Sequence, residues 1–201
     1  MIHPATELRW VSPTVGYGVF ATSAIPLGTI TYVRDALEVE LPQDRYDQLP
    51  PLLQEYAERF SYIDEEGVRV LSWDLGKHVN HCCQCNTMST GYGFEIAIRD
   101  IAAGEEITDE YGLFNLGYEL PLSCSRGPCR GCVSSRDLAT HADEWDRKVQ
   151  AALVNWDAVE QPLLPLVDAS VQRELQALRS GSAVRSVRQL AYAGSRTPRG
   201  A

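Results

Sequence analysis

No stretch of the 201 residues approaches the roughly 18 to 20 uninterrupted apolar positions of a membrane span. The opening MIHPATELRW also lacks the basic start and apolar middle of a secretory signal. The expectation is a cytoplasmic protein, or a nuclear one in a eukaryotic cell, with no membrane partner. No internal repeat is present. Acid is missing from residues 179–201, which hold five arginines; this leaves 13 basic and 27 acidic residues, or −14, in residues 1–178, against −9 for the whole chain. A body of that sign repels nucleic acid and attracts basic peptides, so no direct nucleic-acid binding is expected. The length and the 44% hydrophobic content suit one main domain with an appendage, and they leave the oligomeric state open.

Cysteine is scarce but concentrated. Cys82, Cys83 and Cys85 form one cluster and Cys124, Cys129 and Cys132 another, a pattern that in a reducing compartment favours metal over disulfides. A structural zinc needs four thiolate or imidazole ligands in a tetrahedron, commonly supplied as close pairs. The segment CSRGPCRGC offers three local thiols, and the first cluster is the other source of thiolate. Such a site contributes roughly 10 to 16 kcal/mol, against about 1 to 2 kcal/mol of backbone entropy per ordered residue. It can therefore fasten a segment of about ten residues, with packing ordering the rest of residues 112–123.

The first half reads as short strands, ELRWV, YGVFAT, TITYV, GVRVLSW, GFEIAIR and EEITDEY, each bounded by Gly, Pro or Asp. PQDRYDQLPPLLQEYAERF has helical content broken at Pro50 and Pro51, and DEEG before Val68 reads as a hairpin turn. After Cys132 a helical period places Leu138, Trp145, Val149, Leu153 and Trp156 on one face behind a Ser134 or Ser135 cap, with Pro162 and Pro165 ending it. That stripe reads as core packing. A second amphipathic segment spans residues 166–179, before a Gly-, Ser- and Arg-rich tail with too few apolar residues to fold alone.

Four segments in order, GYGVFATSAIPLGT (16–29), NHCCQCN (80–86), GEEITDEYG (104–112) and CSRGPCRG (124–131), resemble those of SET-domain protein lysine methyltransferases with a post-SET zinc segment. The resemblance covers residues 7–133. It implies a mostly β, β-clip-like fold of small sheets with a pseudoknot where the Asn80 and Tyr111 segments cross, followed by a C-terminal α-helical extension. The division it suggests is a SET domain over 1–112, a post-SET zinc segment over 113–133, a helical extension over 134–179 and a flexible basic tail over 180–201. By the same resemblance Gly16, Tyr17, Gly18, Asn80, His81 and Tyr111 form the S-adenosylmethionine pocket, and Tyr111 is the catalytic tyrosine.

The post-SET pattern usually supplies three cysteines of its own, and Leu122 stands at the first of those positions. The implied zinc set is therefore Cys83, Cys124, Cys129 and Cys132, with Cys85 in reserve. Asp109 stands where the family commonly has Phe or Tyr, and Glu110 where it has Asp. That leaves the number of methyl groups added open.

Methyl transfer to an amine moves positive charge from sulfur to nitrogen, so positioning matters more than acid catalysis, and a tyrosine oxygen can align the amine. A lysine at neutral pH is mostly protonated, a deficit of about 3.4 pKa units or roughly 4.6 kcal/mol, which calls for a channel that lowers its pKa. The expected partner is a lysine-containing basic protein or peptide. Two other readings stand beside it: a catalytically silent zinc-stabilised peptide-binding module, which Asp109 and Glu110 favour, and a methyltransferase for a small amine, which would need residues 40–70 to close the peptide groove. Tyr111 read alone is a strand tyrosine, and His81, beside the cysteines, could instead be a zinc ligand.

Overall fold

The structure is a computed structural model that describes residues 1–122, 124 and 127–194. All six segments read as strands contain one, and turn residues keep each short enough that several small sheets form instead of one large one. In the first sheet Thr6–Ser12 pairs antiparallel with Gly16–Ala21, which pairs antiparallel with Glu106–Asp109. Glu106–Asp109 in turn lies parallel to the two-residue strand Asn80–His81, in the register Thr108 to Asn80 and Asp109 to His81. A second sheet has the order Ile30–Val33, Phe94–Ala97, Thr87–Ser89, and a third the order Val39–Leu41, Arg69–Leu71, Ser61–Ile63.

The turn into Arg69–Leu71 follows from its residues. Asp64 Oδ1 accepts the backbone N–H groups of Glu66 and Val68 at 3.0 and 2.8 Å, and Gly67 takes φ +83°, a region that costs glycine nothing. Upstream, the double proline ends the helix Gln43–Asp47 and starts Pro51–Phe60, with Pro51 in the first turn where its missing N–H is no loss.

The fully buried Asn86 clamps the crossing of the two motif segments. Its Nδ2 donates to the Glu106 carbonyl at 2.8 Å, its Oδ1 accepts from Thr108 N at 2.8 Å, and its own N–H donates to the Thr108 carbonyl at 3.2 Å. One amide side chain thereby supplies a ladder between segments that no hairpin connects.

Beneath the second sheet runs the helix Asp137–Leu153, which buries Leu138, Trp145, Val149 and Leu153, with Trp156 just beyond its end, in one core with Ile30, Met88, Phe94 and Ile96. The helix stops at Leu153, before the prolines expected to end it. Gly28, at φ +91°, lies so close that an added Cβ would meet the Asn155 backbone at 2.9 Å, and Gln161 then returns to bridge the Gly28 carbonyl and Ile30 N–H at 2.7 and 2.8 Å. The expected second helix is Ala169–Leu178, capped by Asp168.

The tail differs from its expectation. Residues 180–194 dock on the helices: Val187 is fully buried, Asp146 accepts Val187 N and Ser186 Oγ at 2.7 Å each, and Arg185 pairs with Glu174 at 2.7 Å. Few apolar residues suffice because they meet a prepared hydrogen-bonding surface. The rest of the predicted tail, 195–201, lies outside the described residues. Among the described residues no helix is long and apolar enough to cross a membrane.

Candidate functional site

The parallel pairing of Asn80–His81 with Glu106–Asp109 brings both motifs to one place and sets Tyr111 directly after the strand. Asn80 Nδ2 reaches across to the Tyr17 carbonyl at 3.1 Å and to Glu106 Oε1 at 2.9 Å, which ties the glycine-bearing strand to the crossing. Gly18 has no room for a side chain there: an added Cβ would sit 2.5 Å from Glu106 Oε1 and 2.9 Å from Asn80 Nδ2.

In front of this wall opens a cleft of about 450 Å³, lined by Trp10, Gly16, Tyr17, Phe60, Asn80 and Tyr111. Trp10 and Tyr17 meet edge to face at 5.3 Å, and His78 packs between Tyr17 and Phe60 at 6.1 and 5.4 Å. Burial, with Lys77 and Arg59 nearby, holds His78 below its ordinary pKa, so it is neutral at neutral pH. Flat aromatic walls, two cations fit for a carboxylate, and no cationic histidine to repel a sulfonium suit S-adenosylmethionine, and Gly16, Tyr17, Asn80 and Tyr111 would hold it. Gly18 and His81 do not line the cleft: Gly18 lies behind the wall, and the His81 ring is turned inward, where its Nδ1 accepts the Tyr111 backbone N–H at 3.2 Å. Both shape the pocket from behind.

Tyr111 donates its hydroxyl to the Val79 carbonyl at 2.6 Å, and its ring packs on Phe114 and His81 at 5.2 and 5.4 Å. Burial raises its pKa, so the hydroxyl stays neutral and its free lone pair faces no competing proton loss. On the far side lies a second, smaller cavity of about 90 Å³, walled by Tyr62, Val79, Tyr111 and Phe114 but also by three acidic residues, Glu58 and the buried pair Glu95 and Asp109. Asp109 therefore points into the cavity. Burial, reinforced by Glu95, holds its pKa far above the carboxylate range, and burial pushes Glu95 up to about 7. Sequence reasoning misses Glu95: in GFEIAIR its position gives no sign of which face it takes until the strand is paired on both sides.

The cysteines separate into two kinds. Cys83 Sγ and Cys124 Sγ are 3.6 Å apart, close to the roughly 3.8 Å edge of a tetrahedron with Zn–S bonds of about 2.3 Å. Cys129 Sγ joins them, and all three sulfurs accept backbone N–H groups: Cys83 N to Cys124, Arg130 N to Cys83, and both Cys124 N and Gly131 N to Cys129, at 3.4 to 3.5 Å. N–H groups aimed at sulfur stabilise thiolate, and the thiol of Cys129 is lowered to about 7 chiefly by those of Cys124 and Gly131. This donor set fits three positions of a structural zinc.

Cys132 does not join it. Antiparallel pairing of Leu120–Pro121 with Cys132–Val133 fixes that residue, and its Sγ turns to the Val133 carbonyl at 3.2 Å. Cys85 is buried in the core under the helix Asp137–Leu153. His81 Nε2 stands 3.4 Å from Cys83 Sγ, in reach of the same cluster. With its Nδ1 accepting from Tyr111 N, the ring carries its proton on Nε2 and donates to the Cys83 sulfur; with the other tautomer, Nε2 would be a ligand atom beside Cys83 and Cys124.

Arg130, next to Cys129, hooks this segment onto the site. It grips the buried Glu110 bidentately at 2.7 Å and pairs with Asp137 at 3.2 Å, while Glu110 Oε1 also caps the turn at Gly112 N, 2.9 Å. The substitution of Asp by Glu at 110 leaves an acid where the arginine needs one.

Residues 16–112 match the family model of the SET domain, a span that holds the glycine strand, the crossing and Tyr111 and stops short of the cysteine segment. No curated protein matches the chain. A solved structure similar to it is that of a Plasmodium falciparum protein named as a putative histone methyltransferase, 18% identical, with a TM-score of 0.39 over 55% of this chain and 95% of that one, a likeness too slight to argue from. The span that matches the SET-domain model is thus the part of the chain that holds the glycine strand and the crossing.

Proposed function

We propose that the protein is an S-adenosylmethionine-dependent methyltransferase acting on a lysine side chain of a basic protein or peptide. The observation that carries this reading is that Tyr111, together with Arg59, Phe60 and Lys77, lines both the 450 Å³ cleft and the 90 Å³ cavity, so its ring stands between a place for a nucleotide-sized donor and a place only wide enough for a side-chain amine. When bound, S-adenosylmethionine supplies a methyl group on a sulfonium centre. The chain does the rest by position: Tyr17 and Asn80 fix the cleft wall, and the Val79 carbonyl holds the Tyr111 hydroxyl so that its oxygen is directed and neutral. Phe114 and Tyr62 give the cavity an apolar wall. The acidic body suits a basic substrate.

Zinc belongs to the same proposal. Cys83, Cys124 and Cys129 would hold it, and its part is to fasten the segment that carries Arg130 against Glu110, one residue from Tyr111. The test is incubation of zinc-replete protein with methyl-labelled S-adenosylmethionine and poly-L-lysine, followed by hydrolysis and mass spectrometry. Methylated lysine is the expected product; cofactor binding without any transfer would favour the silent peptide-binding module.

A further inference from the structure

We infer that Glu95 is the proton acceptor for the substrate amine, and that Asp109 acts beside it as a neutral, protonated hydrogen-bond donor. The inference rests on the methyltransferase reading and names a residue that reading does not use. Both carboxyls open on the small cavity that ends at Tyr111. Asp109 Oδ1 accepts the Glu110 N–H at 2.7 Å, whereas Oδ2 is buried and meets no donor. An ionised carboxylate does not leave an oxygen bare in that setting, so Oδ2 is where the proton sits. Apart from Asp109, which is in reach of it, no donor or cation among the described residues is hydrogen-bonded or ion-paired to Glu95. An amine entering the cavity therefore meets one acid that keeps its proton and one that is free to take one.

The step balances simply. The N–H bond of the ammonium breaks, an O–H bond forms at Glu95, and the nitrogen keeps the electron pair it needs for attack; the proton later leaves to solvent through the cavity mouth. An ordinary carboxylate is a poor acceptor for an amine with a pKa near 10.4. Burial of Glu95, which raises it to about 7, narrows that gap so that transfer is on the order of 10²-fold less uphill. The surrounding ionisable groups do not compete. Tyr32, Tyr62, Tyr111 and Tyr118 are all pushed above their ordinary values by burial. Glu58 is engaged as acceptor of the Tyr46 hydroxyl, Arg59 and Lys77 line the remaining wall, Glu110 is held by Arg130, and Glu38 accepts from Tyr32.

Two measurements test this, and one does not depend on activity. In protein labelled with ¹³C at glutamate carboxyls, Glu95 should titrate near pH 7, and should do so in Asp109→Asn as well, because the amide supplies the same donor. A Glu95 that titrates like an exposed glutamate overturns the inference. In single-turnover methylation of poly-L-lysine at pH 7, Glu95→Gln should lose on the order of 10²-fold in rate and recover about tenfold per pH unit above that, with unchanged S-adenosylmethionine affinity. Asp109→Asn should stay within about tenfold of the unaltered protein. An active protein whose Glu95→Gln variant keeps the unaltered rate and pH profile removes Glu95 from the mechanism and leaves the proposed function standing. If the unaltered protein methylates no lysine at all, the proposed function falls and this role falls with it.

Discussion

Tyr111 donates its hydroxyl to the Val79 carbonyl at 2.6 Å while its ring is wedged between Phe114 and His81, so replacing it by phenylalanine removes one directed oxygen and leaves the packing. Turnover of Tyr111→Phe should fall on the order of 10² to 10³-fold, equivalent to about 2.7 to 4 kcal/mol, by analogy with loss of a single positioned donor. Calorimetry should find S-adenosylmethionine affinity nearly unchanged. A variant with full turnover and only a small loss of stability would return Tyr111 to a packing role. At this scale the sequence is legible where a residue sits inside a motif, as Gly16, Asn80 and Tyr111 do. It is not legible where the role depends on which way a side chain turns. His81 reads as a pocket residue or a ligand, yet one hydrogen bond from Tyr111 N decides its tautomer. Glu95 looks like any polar residue in an apolar strand until both neighbours of that strand are known.

Leu120–Pro121 and Cys132–Val133 make a two-stranded clasp, with the thiols of Cys124 and Cys129 between them in sequence and Arg130 reaching back to Glu110. That arrangement separates two cysteines that the sequence could not. In CSRGPCRGC the spacing alone offers Cys132 as readily as Cys129, but strand pairing with Pro121 carries Cys132 away from Cys83. Elemental analysis of two variants should therefore give opposite results: Cys129→Ser loses zinc, and Cys132→Ser keeps it. Loss of zinc from Cys132→Ser would contradict a ligand set built on Cys83, Cys124 and Cys129. Stripping the metal from the unaltered protein should loosen the clasp and with it the Arg130 grip on Glu110, so activity should fall while the buried core persists. The strands and the proline-split helices are readable because their signals are local, whereas the two-residue strand Asn80–His81 exists only through its distant partner.

For the molecule as a whole, one core runs from the second sheet through the helix Asp137–Leu153 to Val187 near the chain's end. The apolar stripe of that helix predicts its burial correctly, but an arginine-rich tail gives no local sign of order, since its order comes from Asp146 and Asp143 on the helix it crosses. Val187→Ala should cost about 2 kcal/mol in a denaturant titration, with its transition otherwise unchanged; a cost near zero would mean that the tail adds nothing to the fold. The proposed function turns on the division of space at Tyr111, with a large cleft on one side and a narrow cavity that holds Glu95 and Asp109 on the other. The most direct measurement is mass spectrometry of poly-L-lysine after incubation with zinc-replete protein and methyl-labelled S-adenosylmethionine. Label should appear on lysine side-chain nitrogen, reduced at least about 10²-fold in Tyr111→Phe. Unlabelled lysine from a folded protein that binds S-adenosylmethionine would contradict the assignment of these two spaces.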